Sequence, residues 1–212
     1  MSFVTRIVNK SFNKQLFIQN YVVDNGFFTS EECDLISMYG ASLNLVDGGL
    51  FTDDSYNTRK AKTAFITEVT PQNRWIYEKM NTLIGYYNDN VYGFELTGYD
   101  YLQYTEYNDM GKHEFHMDIP FKTPHSDVHT DYYRLNEYFR KLSVVLLLNE
   151  PGVDFLGGEF QLNLSEERFP ETVPLSKGSV VVFPSFLLHR VCPVISGLRK
   201  TLVLWCIGPK FK

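Results

Sequence analysis

Cysteine is scarce in this 212-residue chain, and the three present, Cys33, Cys192 and Cys206, are odd in number and show no C-x-x-C spacing. That argues against a disulfide framework and against a thiolate zinc cluster, and points to reduced thiols in a cytoplasmic protein. Long basic runs are also missing. Twenty Lys plus Arg stand against 25 Asp plus Glu, giving a formal charge of -5 and a pI near 5.5, so nucleic acid is not an expected partner. The opening stretch "MSFVTRIVNKSFNKQLF" has no apolar segment of signal-peptide or membrane-spanning length. A soluble protein without membrane attachment is the expectation, and with no repeat period or low-complexity tract the chain reads as short elements joined by turns.

Aromatic residues, by contrast, are plentiful: 17 Phe, 14 Tyr and 2 Trp make up 16% of the chain. Such a composition can fill a generous core, and one domain over residues 1–212 is expected, with a helix-strand part over 1–91 and a β core over 92–209. In the first part "QLFIQNYVV" reads as a strand. Thr29 and Glu32 form a capping box opening a helix through "SEECDLISMYG". A second helix follows, with Thr70 as cap, Pro71 in the first helical position, and Trp75, Ile76, Met80, Leu83 and Ile84 at helical spacing.

From Tyr92 the pattern changes to strands rich in aromatic and β-branched residues: "YGFELTGYDYLQYTEY", "LSVVLLLN", "GGEFQLNL", "SVVVFPS", "HRVCPV" and "RKTLVLWCIG". Many short strands at this spacing predict a mainly β fold, a double-sheet jelly roll with two N-terminal helices packed on one sheet. Residues 119–140 break the rhythm with a polar loop, "PFKTPHSDVHTD", running into a helical-looking "YYRLNEYFRK". A loop of that length suits a lid or substrate-gripping segment.

The stretch "HEFHMD", residues 113–118, holds two imidazoles and two carboxylates. In a strand, residues i and i+2 share a face, so His116 and Asp118 can address one metal ion, while His113 and Glu114 are expected to be bystanders. Alone, an H-x-D is more often an ordinary strand fragment than a ligand pair. His125 and His129 lie in the polar loop, whereas His189 sits between two core strands, where a polar side chain needs a partner. Two His and one Asp leave metal positions open in the manner of non-haem iron(II) oxygenases. Ten residues on, Arg199 can be structural, or can offer its planar fork to the carboxylate of an acidic co-substrate.

"LQYTEYNDMGKHEFHMD", "RKLSVVLLLNEPGVDFLGGEFQL" and "GSVVVFPSFLLHRVCPVISGLRKTLVLWCIGP" together resemble the prolyl 4-hydroxylase-like (prolyl and lysyl hydroxylase-type) family of iron(II)/2-oxoglutarate-dependent dioxygenases. The resemblance runs from about Leu102 to Pro209 and implies a cupin-like double-stranded β-helix. It implies that His116, Asp118 and His189 bind Fe(II), and that Arg199 and Tyr107 hold the distal carboxylate of 2-oxoglutarate. O2 is the second co-substrate and ascorbate an optional reductant. Tyr101 and Leu148 are candidates to line the same pocket, and Gly157-Gly158-Glu159 matches a family turn before a core strand. The lead-in from Gly111 to His116 is a residue tighter than the family's usual form. Hydroxylation of an unactivated C–H bond is implied, with release of succinate and CO2, on a prolyl residue of a peptide or protein or on a small molecule. A non-catalytic jelly-roll binding domain and a zinc-dependent hydrolase on the same ligands are the alternatives, and the sequence leaves the oligomeric state open.

Overall fold

The structure is a computed structural model that describes residues 20–48, 58–119, 138–164 and 170–209. The elements run β1 (Val22–Asp24), α1 (Ser30–Ala41), β2 (Val46–Asp47), β3 (Arg59–Lys60), β4 (Lys62–Ile66) and α2 (Arg74–Tyr87). A π-helical turn at Asn88–Tyr92 leads to β5 (Gly98–Tyr99), β6 (Leu102–Tyr107), β7 (Lys112–His116) and β8 (Tyr138–Leu147). The chain closes with β9 (Phe155–Gly157), β10 (Phe160–Asn163), β11 (Glu171–Thr172), β12 (Val180–Pro184), β13 (Leu188–Val191), β14 (Val194–Gly197) and β15 (Arg199–Pro209).

Two antiparallel sheets face each other as a double-stranded β-helix. The larger is ordered β1-β12-β8-β15-β6-β4-β2 with β5 beside β15, the smaller β11-β10-β13-β7-β3, and β9 pairs with β14 at one end. Strand alternation sorts the two faces of β8: Leu142, Val144 and Leu146 face the helices, while Val145 and Leu147 face the interior between the sheets. Burial on both faces explains the unbroken apolar run "VVLLL". The N-terminal part is not merely an outer layer, because β1, β2 and β4 extend the large sheet and β3 the small one.

Both helices cover the outer face of the large sheet. Cys33 and Ile36 of α1 and Ile76, Met80, Leu83 and Ile84 of α2 pack on Leu102, Leu142, Leu146 and Leu202. Each fully buried aliphatic side chain of this kind contributes about 1.5–3 kcal/mol. The capping box of α1 forms as expected: Glu32 N donates to Thr29 Oγ1 at 3.2 Å, and Thr29 N donates to Glu32 Oε2 at 2.7 Å. Lys79 of α2 then bridges to Glu32 Oε2 at 2.6 Å, tying the helices together.

Helix α2 begins later than the Thr70–Pro71 signal suggests. Asn73 stands at its N-cap, and its side chain bonds backward instead, accepting from Thr70 N at 2.7 Å and donating to Glu68 O at 2.8 Å. Pro71 is therefore in the turn before the helix. Of the expected strand over residues 15–23 only Val22 and Val23 fall among the described strand residues, and of "YYRLNEYFRK" the described part, from Tyr138 on, is strand β8 rather than helix. Pairing with β15 over nine register positions overrides the helical spacing there.

Candidate metal centre

Strands β7 and β13 are neighbours in the small sheet, with His116 directly opposite His189 and His113 opposite Val191. Three steps along β7 match two along β13, so β7 carries one extra residue, a β-bulge. The bulge puts His113 and His116 on the same face, where their rings stack with centroids 3.5 Å apart and planes at 22°. This overturns the expectation that His113 points away, which assumed unbroken alternation. Glu114 does stay aside, paired to Lys112 at 2.6 Å.

Asp118 lies just beyond β7 and its carboxylate converges on both imidazoles, with Oδ1 3.7 Å from His116 Nε2 and Oδ2 3.5 Å from His189 Nε2. One ligand atom from each of the three lies within 4.8 Å of the others. Backbone carbonyls set the ring orientations: His116 Nδ1 bonds to Glu114 O at 2.8 Å and His189 Nδ1 to Leu187 O at 2.9 Å. With Nδ1–H donated in each ring, both Nε2 lone pairs are left for a metal. Burial, reinforced by the neighbouring His189, holds the His116 imidazole down to about 4, so it is neutral and able to ligate near pH 7. Burial works to raise the Asp118 carboxyl, yet His189, His116, Arg140 and the Ser143 hydroxyl together hold it below the ordinary carboxylate value.

Asp118 is fixed from the opposite sheet. Ser143 Oγ of β8 donates to Asp118 Oδ2 at 2.5 Å and lies 3.0 Å from Ser185 Oγ, while Asp118 N donates to Ser185 O at 2.9 Å. Arg140 Nη1 reaches the Asp118 carbonyl at 3.5 Å, and its guanidinium lies over the Trp205 ring at 3.8 Å while pairing with Asp100 at 2.6 Å. Two imidazoles and one oriented carboxylate on one side of a point suit a facial two-His-one-carboxylate iron(II) site better than a closed tetrahedral zinc set.

Arg199 opens β15 and faces Tyr107 of β6 across the ladder, its guanidinium carbon 5.5 Å from the Tyr107 ring. The residue is 1% exposed, and its Nε and Nη1 have no partner among the described residues. An unpaired buried cation is costly and calls for an anionic ligand. It lines a cavity of about 310 Å³ with Leu147, Phe155, Gly158, Phe160 and Val173, and the Phe160 ring is 5.7 Å from that of His189. Gly158, at φ +68°, makes room for Arg199, since a Cβ there would sit 2.8 Å from Arg199 Cδ.

Leu148 packs on the helix side of the sheet and Tyr101 is exposed, so the residue that lines the cavity is Leu147. His125 and His129 lie outside the described residues. Sequence reasoning missed Ser143 and Arg140. The one available signal for Ser143 was a lone hydroxyl in the apolar strand "LSVVLLL".

The sequence matches the 2OG-Fe(II) oxygenase superfamily over residues 102–207, half of its length, and the chain belongs to that family. That family's description names iron(II) and 2-oxoglutarate, and the His116, Asp118 and His189 donor set fits the metal. A PKHD-type hydroxylase from a Psychrobacter species is 45% identical over 64 residues, 30% of this chain and 24% of the relative. The chain spans less than half the length of the curated relatives it matches. The fold is also that of a Pseudomonas putida prolyl-4-hydroxylase, with a TM-score of 0.68 at 18% identity over 92% of this chain and 96% of that one. A Trichoplax adhaerens prolyl hydroxylase, solved with a hypoxia-inducible-factor peptide fragment, superimposes with a TM-score of 0.66 at 20% identity over 95% and 89%.

Proposed function

We propose that the chain is an Fe(II)- and 2-oxoglutarate-dependent dioxygenase that hydroxylates an unactivated C–H bond of a prolyl residue in a peptide or protein. The observation that carries this reading is the buried Arg199 guanidinium, whose Nε and Nη1 have no hydrogen-bond partner among the described residues, in a cavity lined by Phe160, the ring of which is 5.7 Å from that of His189. A binding domain has no use for such a group. A hydrolase would need a general base beside the metal, and Glu114 is engaged by Lys112.

His116, Asp118 and His189 hold the iron, and Arg199 with Tyr107 holds the distal carboxylate of 2-oxoglutarate. When bound, the metal and co-substrate supply an oxidation in which O2 gives one atom to succinate, formed with CO2 from 2-oxoglutarate, and one to the substrate C–H bond. The chain's own part is orientation and exclusion of water. Ser143 fixes the Asp118 carboxylate, the carbonyls of Glu114 and Leu187 fix the two imidazoles, and Phe160, Phe183 and Leu147 keep the chamber dry. Support for a peptidyl prolyl substrate comes from the two prolyl hydroxylases of the same fold.

The chain is read as one domain over 1–212, supported by the way β1 to β4 are woven into both sheets. Its free Cys33, Cys192 and Cys206 support a cytoplasmic setting, and no helix among the described residues is long and apolar enough to cross a membrane.

Anaerobic addition of iron(II) and 2-oxoglutarate should give a visible charge-transfer band, and admission of O2 should release succinate. His116→Ala should abolish the band, whereas Arg199→Ala should weaken 2-oxoglutarate far more than iron. Absence of both band and succinate from the unmodified protein, or equal loss of both ligands in Arg199→Ala, rejects the reading.

A further inference from the structure

Several buried polar atoms around the metal centre have no partner among the described residues, and they fall on two sides of it. On the His189 side is Arg199 with its cavity. On the His116 side are Arg59 Nε and His113 Nε2. His113 is 9% exposed and its ring lies flat on that of His116. Arg59 is the β3 residue directly across from His113 in the sheet. Its Nη2 donates to Gln103 Oε1 at 3.2 Å, so the side chain spans from the small sheet to β6 of the large one.

Gln103 and Tyr107 share a face of β6 four residues apart, roughly 13 Å along the strand. Arg199 stands opposite Tyr107 and Arg59 bonds to Gln103, so the two guanidinium groups attend separate positions along β6, and Arg59 is not among the residues that line the Arg199 cavity. Gln103 is neutral, and the structure shows no ion pair for Arg59 among the described residues, so it satisfies hydrogen-bonding geometry without balancing charge. Arginine forks match carboxylates, and a charge-assisted bond in a site shielded from water is about twice as strong as a neutral one.

Resting on the dioxygenase reading, we propose that Arg59, with His113 and Gln103, is the recognition site for a carboxylate on the primary substrate. The group is either a free α-carboxylate or an acidic side chain beside the oxidised residue. A substrate anchored there lies against the His113 ring, next to the His116 ligand, while 2-oxoglutarate keeps the Arg199 end.

The test uses the whole chain loaded anaerobically with iron(II) and 2-oxoglutarate, reading probe binding as perturbation of the charge-transfer band. One arm compares N-acetyl amino acids, across the common side chains, with their amides. The other compares end-blocked Pro-Glu and Glu-Pro peptides with their Gln counterparts. A preference of about tenfold or more for the acid in either arm is expected, and the arm identifies the carboxylate's source. Arg59→Gln should bring that ratio to about one while the 2-oxoglutarate affinity stays within about twofold. Gln103→Glu gives Arg59 an internal anion and should also erase the preference in a folded protein. No acid preference in either arm, or a preference that survives in both variants, overturns the proposal. So does loss of 2-oxoglutarate affinity in Arg59→Gln with retention in Arg199→Ala. A missing charge-transfer band in the unmodified protein rejects the dioxygenase reading instead, before any probe is added.

Discussion

A carboxylate as buried as that of Asp118 is held ionised because donors and imidazoles surround it, and among the described residues Ser143 is the donor that addresses Oδ2 from the opposite sheet. Ser143→Ala keeps the volume but removes that bond, freeing the carboxylate to rotate. Iron(II) affinity should fall on the order of 10–100-fold, as for other partners that orient a metal ligand; an anaerobic chelator competition showing no change would falsify this role. Tyr107→Phe should weaken 2-oxoglutarate roughly 10–100-fold, the size of one hydrogen bond to a charged carboxylate, and leave iron affinity alone. Side-chain chemistry of this kind was partly legible in the sequence. The i, i+2 spacing of His116 and Asp118 and the isolation of His189 among apolar strands pointed to residues that the fold does bring together. Ser143 and Arg59 could not be read that way, because each meets the site through pairings more than twenty residues away in the chain.

Strand and helix ends govern how these groups are aimed. The Gly157–Gly158 turn, with both residues at positive φ, lets β10 start close under Arg199. Gly158→Ala brings strain and a 2.8 Å approach to Arg199 Cδ, so it should raise the Kd for 2-oxoglutarate by an order of magnitude or more. Iron binding, measured separately, should persist; loss of both ligands together would mean that the turn supports the whole barrel. At the far side, Thr29→Ala removes the α1 cap and should cost about 1 kcal/mol in urea unfolding with no effect on the metal centre. Local signals served well for such features, since a capping box or a run of β-branched residues carries its cause in neighbouring positions. They failed where a long-range ladder decides. The β7 bulge that turns His113 inward is visible only in its register with β13, and the strand at Tyr138–Lys141 exists because β15 lies beside it.

Across the whole molecule, the helices buttress the large sheet, and that sheet supplies Ser143 and Arg199 to a site whose two imidazoles come from the small one, so stability and ligand binding are linked. Iron(II) added anaerobically at a hundred times its Kd should stabilise the fold by about 2.7 kcal/mol, seen as a rise in Tm that a chelator reverses and His116→Ala abolishes. A Tm indifferent to iron in the unmodified protein would show that the triad is not a metal site. Leu83→Ala, in the helix-sheet core, should cost about 2–5 kcal/mol without altering the ratio of iron to 2-oxoglutarate affinity. The Ser143 bond from β8 to Asp118 also has a mechanical meaning. His116 and His189 belong to one sheet and the group that steadies Asp118 to the other, so a bound ion acts as a clasp between two jaws. Emptied of metal, the barrel should breathe at this mouth first, and amides of β7 and β13 should exchange their hydrogens faster while those beneath the helices keep their pace.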